Sequence, residues 1–250
     1  MAFEWRNWRA GYVNLDSRPD RRRHIQTELA RVGLAAYRQR GMLPHEYTGP
    51  EDQVQVMRQR TPGAIGCHFS QRKIIADNLD CGREILVLED DVVFCDDLAV
   101  RLDHLAEFLA ARPWDIVWLG ATFHTNPPVW HKDTLGRDAE LTEDPRILRT
   151  YGIWSTYAWV VNRDSGAKVL ELLDRNVHRS IGIDWLMIQV QPELQTYCYV
   201  PGIAKQYDNQ SNIGKAITHF SHFAKLGPYW WQARREQFDP TTYNWAEARP

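Results

Sequence analysis

The sequence has few cysteines, few lysines and no long apolar run. None of its four cysteines belongs to a closely spaced pair of the kind that binds zinc or performs redox chemistry, so neither kind of site is expected. Reduced thiols are expected, because nothing else points to secretion. The apolar runs Ile85–Leu88 and Trp159–Val161 are far too short to cross a bilayer, and residues 1–9 hold no apolar signal-peptide core. We therefore expect a cytoplasmic protein with at most peripheral contact at the inner face of a membrane.

The chain also lacks a basic surplus. It has 30 Lys and Arg residues against 32 Asp and Glu residues, a formal net charge of -2, which argues against a nucleic-acid partner. Hydrophobic residues make up 44% of the 250 residues and charged residues 25%, a composition typical of folded proteins. The 11 tryptophans and 10 tyrosines supply flat apolar faces of the kind that sugar-binding clefts use, although core packing accounts for most of them.

Apolar runs of strand length alternate with helical patterns over the first two thirds of the chain. This alternation indicates an α/β fold with a parallel sheet. The predicted strands are 12–15, 84–88, 115–120, 155–162 and 196–200, and the predicted helices are 17–32, 61–79, 98–109, 165–173 and 184–190. Residues 122–146 show no clean period and are predicted to form a long loop or lid.

The sharpest local signal is the triplet Glu89-Asp90-Asp91, which directly follows the apolar run Ile85–Leu88. Three adjacent carboxylates repel one another, so a fold that holds them at a strand end needs a reason. A Mg²⁺ or Mn²⁺ ion is the simplest reason, because both prefer hard oxygen ligands. Such an ion would neutralise a diphosphate leaving group. The alternative is that the acids are solvated loop residues or cap the next helix.

A second polar cluster follows the first predicted strand, where Asn14 precedes a turn that carries Arg18, Arg21 and Arg22. In open α/β sheets, ligands bind beyond the carboxyl ends of the strands. We therefore expect this cluster to share an edge with the acidic triplet and to meet a phosphate or a nucleotide base. A solvated helix face is the alternative for each arginine.

Four segments in order along residues 12–215 resemble motifs of glycosyltransferase family 25, which includes bacterial lipooligosaccharide galactosyltransferases and collagen galactosyltransferases. They are the opening strand and turn at 12–22, a Gly-Cys-x-x-Ser segment at 66–70, a Leu-Glu-Asp-Asp motif at 88–91 and a strand–helix unit at 157–170. Gln71 stands where the family usually has a histidine after the serine.

The resemblance implies a GT-A fold, in which helices flank a Rossmann-like central sheet. It also implies a UDP-sugar donor, a Mn²⁺ (or Mg²⁺) ion and inversion at the anomeric carbon. Residues 1–217 would form this domain. The irregular, aromatic-rich residues 218–250 would form a C-terminal extension packed on it.

Roles follow from the resemblance residue by residue. Asp91, the last acid of the triplet, is expected to bind the metal directly, with His219 or His222 as a late ligand unless these histidines are structural. Glu89 and Asp90 would hold the ribose or donor sugar, or bind the metal through water. The other expected nucleotide-sugar ligands are Asn14, Arg18, Arg21, Ser70 (unless it is simply a helix-surface serine), Gln206 and Ser211.

Inversion needs a general base that removes the proton of the acceptor hydroxyl. Asp184 matches the family's acid before a hydrophobic helix, and a helix cap is its alternative role. Trp185, next to it, offers a face for a sugar ring.

The predicted function is metal-dependent transfer of a hexose, by resemblance galactose, from a UDP-sugar to a glycan or glycolipid acceptor in lipopolysaccharide, lipooligosaccharide or other surface glycan biosynthesis. A non-catalytic sugar-binding protein on a degenerate transferase fold is the main alternative. A metal-dependent phosphoesterase is a third class, but it would need more clustered His and Asp ligands than the sequence offers.

Overall fold

A computed structural model describes residues 4–47, 62–120, 139–177, 182–200, 202–207, 209–210 and 217–218. The α-helices in these ranges are α1 (Pro19–Val32), α2 (Pro62–Ala76), α3 (Leu98–Ala110), α4 (Gly166–Asn176) and α5 (Ile183–Val190). The first strands are β1 (Arg9–Asn14), β2 (Ala36–Arg40), β3 (Ile85–Glu89), β4 (Val92–Phe94), β5 (Ile116–Trp118) and β6 (Ala139–Leu141). The later strands are β7 (Ile147–Thr150), β8 (Ala158–Val161), β9 (Thr196–Tyr199), β10 (Ala204–Gln206), β11 (Asn209–Gln210) and β12 (Ile217–Thr218).

Eight strands form the main sheet in the order β2-β1-β3-β8-β5-β9-β7-β6. The pairs β1–β2, β1–β3 and β5–β9 are parallel. Strand β8 runs antiparallel to both of its neighbours, β3 and β5, and β7 runs antiparallel to β9 and β6. The α/β class is therefore confirmed. The predicted parallel pairing is present in three strand pairs, but the sheet is mixed, because the other pairs are antiparallel. Hydropathy along a strand reports its burial and not its direction, so the sequence pattern could not reveal the reversal.

Helices cover both faces of this sheet. In β3, Leu86 and Leu88 point into a core shared with α1 and α3, whereas Ile85 and Val87 point into a second core shared with α2, α4 and α5. Alternate residues of a strand face opposite sides, so an unbroken apolar run is what a strand buried on both faces requires. All four side chains are at most 1% exposed. The acidic triplet therefore follows a deeply buried segment of the sheet.

Helix α1 shows how local sequence sets the element boundaries. Pro19 fits the first turn, where no intrahelical N–H bond is lost, and Gly33 ends the helix in the left-handed region at φ 70°. The Leu34 N–H then bonds back to the Leu29 carbonyl at 3.0 Å. The N-cap is Arg18 rather than the predicted Ser17, and its side chain makes no capping hydrogen bond.

Seven strands were not predicted from the sequence, namely β2, β4, β6, β7, β10, β11 and β12. Strand β2 is a half-buried edge strand rich in arginine and lacks the apolar run of a central strand, whereas β4 is apolar but only three residues long and follows the acids after a tight turn. Strand β6 lies within the predicted loop 122–146, which is wrong for residues 139–141. Residues 122–138 of that loop lie outside the described residues.

Two expectations from the composition can be checked within the described ranges. All four cysteines lie in them, and none is in a disulfide, as expected. No helix in the described ranges combines the length and the apolar character that crossing a membrane requires.

Candidate active site

The acidic triplet lies where β3 ends and the chain turns into β4. Asp90 is 6% exposed and Asp91 is 5% exposed, whereas Glu89 is half-buried. Because β1 and β3 are parallel, with Val13 opposite Glu89, Asn14 reaches the same edge of the sheet. Its Nδ2 donates to Asp90 Oδ2 at 2.6 Å and to the Arg18 carbonyl at 3.0 Å. Asn14 therefore ties the acids to the turn that starts α1.

Arg21 supplies a positive charge to two of these acids. Its guanidinium lies 2.9 Å from Asp90 Oδ1 and 3.2 Å from Asp91 Oδ2, and its side chain is 11% exposed. Arg21 is in the first turn of α1, where side chains lean toward the helix N-terminus and here toward the sheet edge. The arginine turn and the acids therefore lie at the same edge of the sheet, as expected. The groups that Arg21 contacts there are carboxylates.

Arg18 takes a different position. Its guanidinium pairs with Asp20 at 2.8 Å, within the same turn. The side-chain oxygen of Asn14 accepts a hydrogen bond from Arg38 on β2, whose Nε lies 3.0 Å from Asn14 Oδ1. Arg38 was not among the predicted residues, because β2 itself was missed.

Glu89 is surrounded by hydrogen-bond donors. Gln71 on α2 donates through Nε2 to Glu89 Oε1 at 2.9 Å. Gln206 on β10 donates through Nε2 toward Glu89 Oε2 at 3.3 Å and Asp91 Oδ1 at 3.2 Å. One amide group thus lies between two carboxylates. The short β4–β10 pair, in which Gln206 is opposite Val92, brings Gln206 back over the acids.

Asp184, in the first turn of α5, completes the cluster. Thr156 Oγ1 donates to Asp184 Oδ1 at 2.9 Å and lies 3.5 Å from Glu89 Oε1. A hydroxyl has one proton, so it serves one of these acids at a time. Thr156 therefore couples the end of β3 to the start of α5.

Burial dominates the electrostatics of this cluster. It raises the pKa of Glu89 well above its usual value, and repulsion from Asp91, Asp184 and Asp90 adds to the rise, while Arg21 opposes it. Burial also raises the pKa of Asp90 against the effects of Arg21 and Asn14, and it raises the pKa of Asp184 against the Thr156 hydrogen bond. Low dielectric disfavours the charged carboxylate, and nearby acids disfavour it further. The cluster would therefore gain from a cation.

The residues present partly fit a divalent metal. Glu89 and Asp91 supply hard carboxylate oxygens on either side of the Gln206 amide, and Mg²⁺ or Mn²⁺ often takes one or two carboxylates together with substrate phosphates. Within the described ranges, however, no three His, Cys, Asp or Glu side chains are arranged to share an ion. The predicted ligand His219 and its alternative His222 lie outside those ranges.

One predicted nucleotide ligand, Ser70, is not brought to the acids. Ser70 is 1% exposed, and its hydroxyl bonds to the Gly66 carbonyl and accepts from the Met42 N–H at 2.8 Å. It fastens α2 to residues 41–43, which is a structural contact. Ser211 lies outside the described residues.

Gln71 and Thr156 are site residues that the sequence analysis did not assign. Gln71 was noted only because it replaces a family histidine. Thr156 precedes β8, and a parallel β8 would have put its first residues at the opposite edge. Because β8 is antiparallel, its start lies beside the end of β3, and the Glu89 N–H bonds to the Tyr157 carbonyl at 2.8 Å.

Several solved structures are similar to this chain in general fold. No protein-family model and no curated protein matches the sequence. The galactosyltransferase LgtC, solved in complex with donor and acceptor sugar analogs, is similar over 92% of this chain and 99% of its own, with a TM-score of 0.47 and 10% identity. The glycosyltransferase GlyE of Streptococcus pneumoniae TIGR4 is similar over 78% of this chain and 46% of its own, with a TM-score of 0.42 and 11% identity.

A glycosyltransferase involved in the glycosylation of the major capsid of PBCV-1 is similar over 78% of this chain and 95% of its own, with a TM-score of 0.39 and 11% identity. The chain thus spans about half the length of GlyE and nearly the whole of the other two. Likeness of this degree concerns the general fold and says nothing of donor, metal or substrate. Membership of glycosyltransferase family 25 stays a prediction.

Proposed function

We propose that this protein is a metal-dependent inverting glycosyltransferase. It would move a hexose, galactose first among the candidates, from a UDP-sugar to a hydroxyl of a glycan or glycolipid acceptor, in the biosynthesis of a surface glycan such as lipooligosaccharide. One observation carries the proposal: the carboxyl groups of Glu89, Asp90, Asp91 and Asp184 converge at the end of β3, where Arg21 pairs with Asp90 and Asp91 and Thr156 links Glu89 to Asp184. The motif resemblance to glycosyltransferase family 25 agrees with it.

The donor would bind on the side of the site formed by β1, β3 and β10. Asp91, with Glu89 beside it, would hold a divalent cation, which neutralises the diphosphate and stabilises it as a leaving group. Asp90 would orient the ribose or the sugar, since Asn14 and Arg21 already hold its carboxylate in place. Arg18 and Gln206 would face the nucleotide and the diphosphate. His219 and Ser211 would complete the donor site.

Asp184 would act as the general base of the transfer. Its carboxylate takes the proton of the acceptor hydroxyl as that oxygen forms a bond to the anomeric carbon. The bond from the anomeric carbon to the diphosphate oxygen breaks, and its electron pair leaves with UDP. Burial raises the pKa of Asp184, which makes it a stronger base than an exposed aspartate. Activity should therefore fall as the pH drops through this raised value, because the protonated acid cannot accept the proton.

The test is release of UDP from a panel of UDP-hexoses with MnCl₂ present, with and without a chelator. We expect turnover of at least one donor, its loss on chelation, and a fall of about 10²–10⁴-fold in Asp184→Asn. Asp80→Asn, at an exposed position beyond the C-terminal end of α2, is the matched control and should turn over like the wild type.

Two results would contradict the proposal. One is full turnover by Asp184→Asn, which would show that the reaction does not use Asp184 as its base. The other is glycan binding that ignores both Mn²⁺ and UDP, with no turnover of any donor, as expected of a non-catalytic sugar-binding protein.

A further inference from the structure

An exposed tryptophan lies beside the acid cluster. Trp185 directly follows Asp184 in α5 and is 44% exposed. Successive helix residues point about 100° apart, so Asp184 can face the acids while its neighbour faces outward. The large apolar side chains with such exposure in the described ranges are Leu43, Val100, Leu141 and Trp185, and only the last is aromatic. A large aromatic side chain left in water forgoes much of the free energy that its burial would release.

A second indole supports this one. The rings of Trp154 and Trp185 lie with their centroids 4.6 Å apart and their planes at 74°, an edge-to-face arrangement. This geometry is among those that aromatic pairs prefer. Trp154 belongs to the segment before β8, so the pair joins that segment to the start of α5. The exposed indole thus packs against a second aromatic ring.

The backbone between Trp154 and the acid site is strained. Ser155 has a φ of 89°, and in the described ranges it is the non-glycine residue with a positive φ. Left-handed backbone costs an ordinary residue on the order of 1–2 kcal/mol, and such residues cluster at functional sites. Here the strained residue separates Trp154, in the aromatic pair, from Thr156, whose hydroxyl donates to Asp184 at 2.9 Å.

The segment before β8 and the start of α5 are therefore in contact at two points. Thr156 and Asp184 meet at the acids through a hydrogen bond, and Trp154 and Trp185 meet nearer the solvent through their rings. A hexopyranose has one face of C–H groups and an edge of hydroxyls. A flat indole next to a carboxylate matches both features, whereas an apolar peptide side chain would offer the carboxylate no hydrogen bond beyond the one from Thr156.

We infer that Trp154 and Trp185 form the acceptor subsite of this enzyme, with the C–H face of an acceptor pyranose stacked on the exposed indole and one of its hydroxyls directed to Asp184. The inference rests on the proposed function and adds the class of acceptor, a pyranose presented at the end of a glycan. Trp185 contacts the acceptor, and Trp154 is a positioning residue that orients Trp185.

The test is a fluorescence titration with methyl glycopyranosides in the presence of UDP and MnCl₂, using the β-galactoside, the β-glucoside and the α-mannoside as probes and glycerol as the acyclic control. We expect wild-type emission to change with at least one glycoside and not with glycerol. In Trp185→Ala the concentration for half-saturation should rise about tenfold or more, and Trp185→Tyr should recover most of the loss. Leu141→Ala, another exposed apolar position, should bind like the wild type.

The outcomes separate the two proposals. If wild-type protein releases UDP from a donor but Trp185→Ala binds glycosides as well as the wild type, the subsite is wrong and the proposed function survives. The subsite is also wrong if no glycoside changes the wild-type emission. If glycosides bind through Trp185 but no donor is turned over, the aromatic site stands and the proposed function fails.

Discussion

At the scale of single residues, Gln71 connects the acid site to the core of the sheet. Its Nε2 donates to Glu89 at 2.9 Å, and its Oε1 accepts from the Trp159 indole N–H at 2.9 Å. Gln71 is fully buried, so water cannot readily replace either hydrogen bond. An amide is neutral and keeps both roles at any pH, which suits a position between a carboxylate and an indole.

Gln71→Leu tests this role. It keeps the volume roughly constant but leaves the Trp159 N–H buried without its acceptor and removes one donor from Glu89. We expect a loss of about 1–3 kcal/mol in the free energy of unfolding, measured by urea denaturation. Gln26→Leu, on the exposed face of α1, should change it by less than about 0.5 kcal/mol. Equal stability of the two variants would contradict the role assigned to Gln71.

His68 makes a second prediction at this scale. It is 1% exposed on α2, and neither ring nitrogen has a hydrogen-bond partner. Burial lowers the pKa of His68 from 6.5 to about 4, with the nearby Asp174 opposing the shift and Arg72 adding to it. The unfolded ring therefore binds a proton between pH 6.5 and pH 4 while the folded ring does not. Its contribution to stability should fall as the pH drops through this window.

The measurement is urea denaturation of wild type and His68→Leu at about pH 7.5 and about pH 4.5, on either side of most of this window. The acids with raised pKa values have the opposite pH dependence, but they are common to both proteins and cancel in the comparison. Relative to the variant, the wild type should lose up to about 3 kcal/mol on acidification. A stability difference independent of pH would mean that His68 can be protonated in the folded protein.

Only part of the site was predictable from single residues. Asn14, Arg21 and the acids could be predicted to meet, because each follows a predicted strand and parallel strands end at one edge. Thr156 could not, because its position depends on the direction of β8. Ser70 has the residue type of a ligand, but its hydroxyl is used by the backbone of α2 and of residues 41–43.

At the scale of elements, the approach of α2 to residues 41–43 sets the position of Gln71. The helix comes so close at Gly66 that a Cβ there would overlap the Met42 carbonyl oxygen. Ser70, one turn later, fixes the same contact through the Met42 N–H. A residue without a side chain is therefore required at position 66 for reasons of packing, although glycine is a poor helix former.

The substitution Gly66→Ala should therefore destabilise the protein, by about 1–3 kcal/mol, although alanine ordinarily stabilises a helix interior. Gly166→Ala in α4 is the control, because its new Cβ would meet the Leu79 Cδ2 at 2.7 Å, the movable end of a side chain. Thermal unfolding of the two variants gives the comparison. If Gly66→Ala proves at least as stable as Gly166→Ala, α2 can move away from residues 41–43 and the packing argument is wrong.

The elements themselves were largely predictable where burial dictates the pattern. The apolar run of β3, the proline and glycine that bound α1, and the helical spacing of α3 each gave an element within a few residues of its observed bounds. Strand β2 lacks such a signal, because its residues are half-buried at the edge of the sheet. Strand direction depends on tertiary packing, and no local pattern records it.

At the scale of the whole molecule, the two cores hold the acids at the end of the sheet against their mutual repulsion. A folded protein that keeps several carboxyls close together has lower stability than one in which a cation neutralises them. A ligand that binds only the folded state shifts the unfolding equilibrium in its favour. The central claim is accordingly that the β3 acids bind a nucleoside diphosphate together with a divalent cation.

The most direct measurement is calorimetric titration of UDP into the full chain, with MnCl₂ or with a chelator, for wild type, Asp91→Asn and the exposed control Asp96→Asn. The account predicts binding that requires Mn²⁺, is weakened about tenfold or more in Asp91→Asn, and is unchanged in Asp96→Asn. UDP binding of equal affinity with chelator present, or in Asp91→Asn, would contradict it.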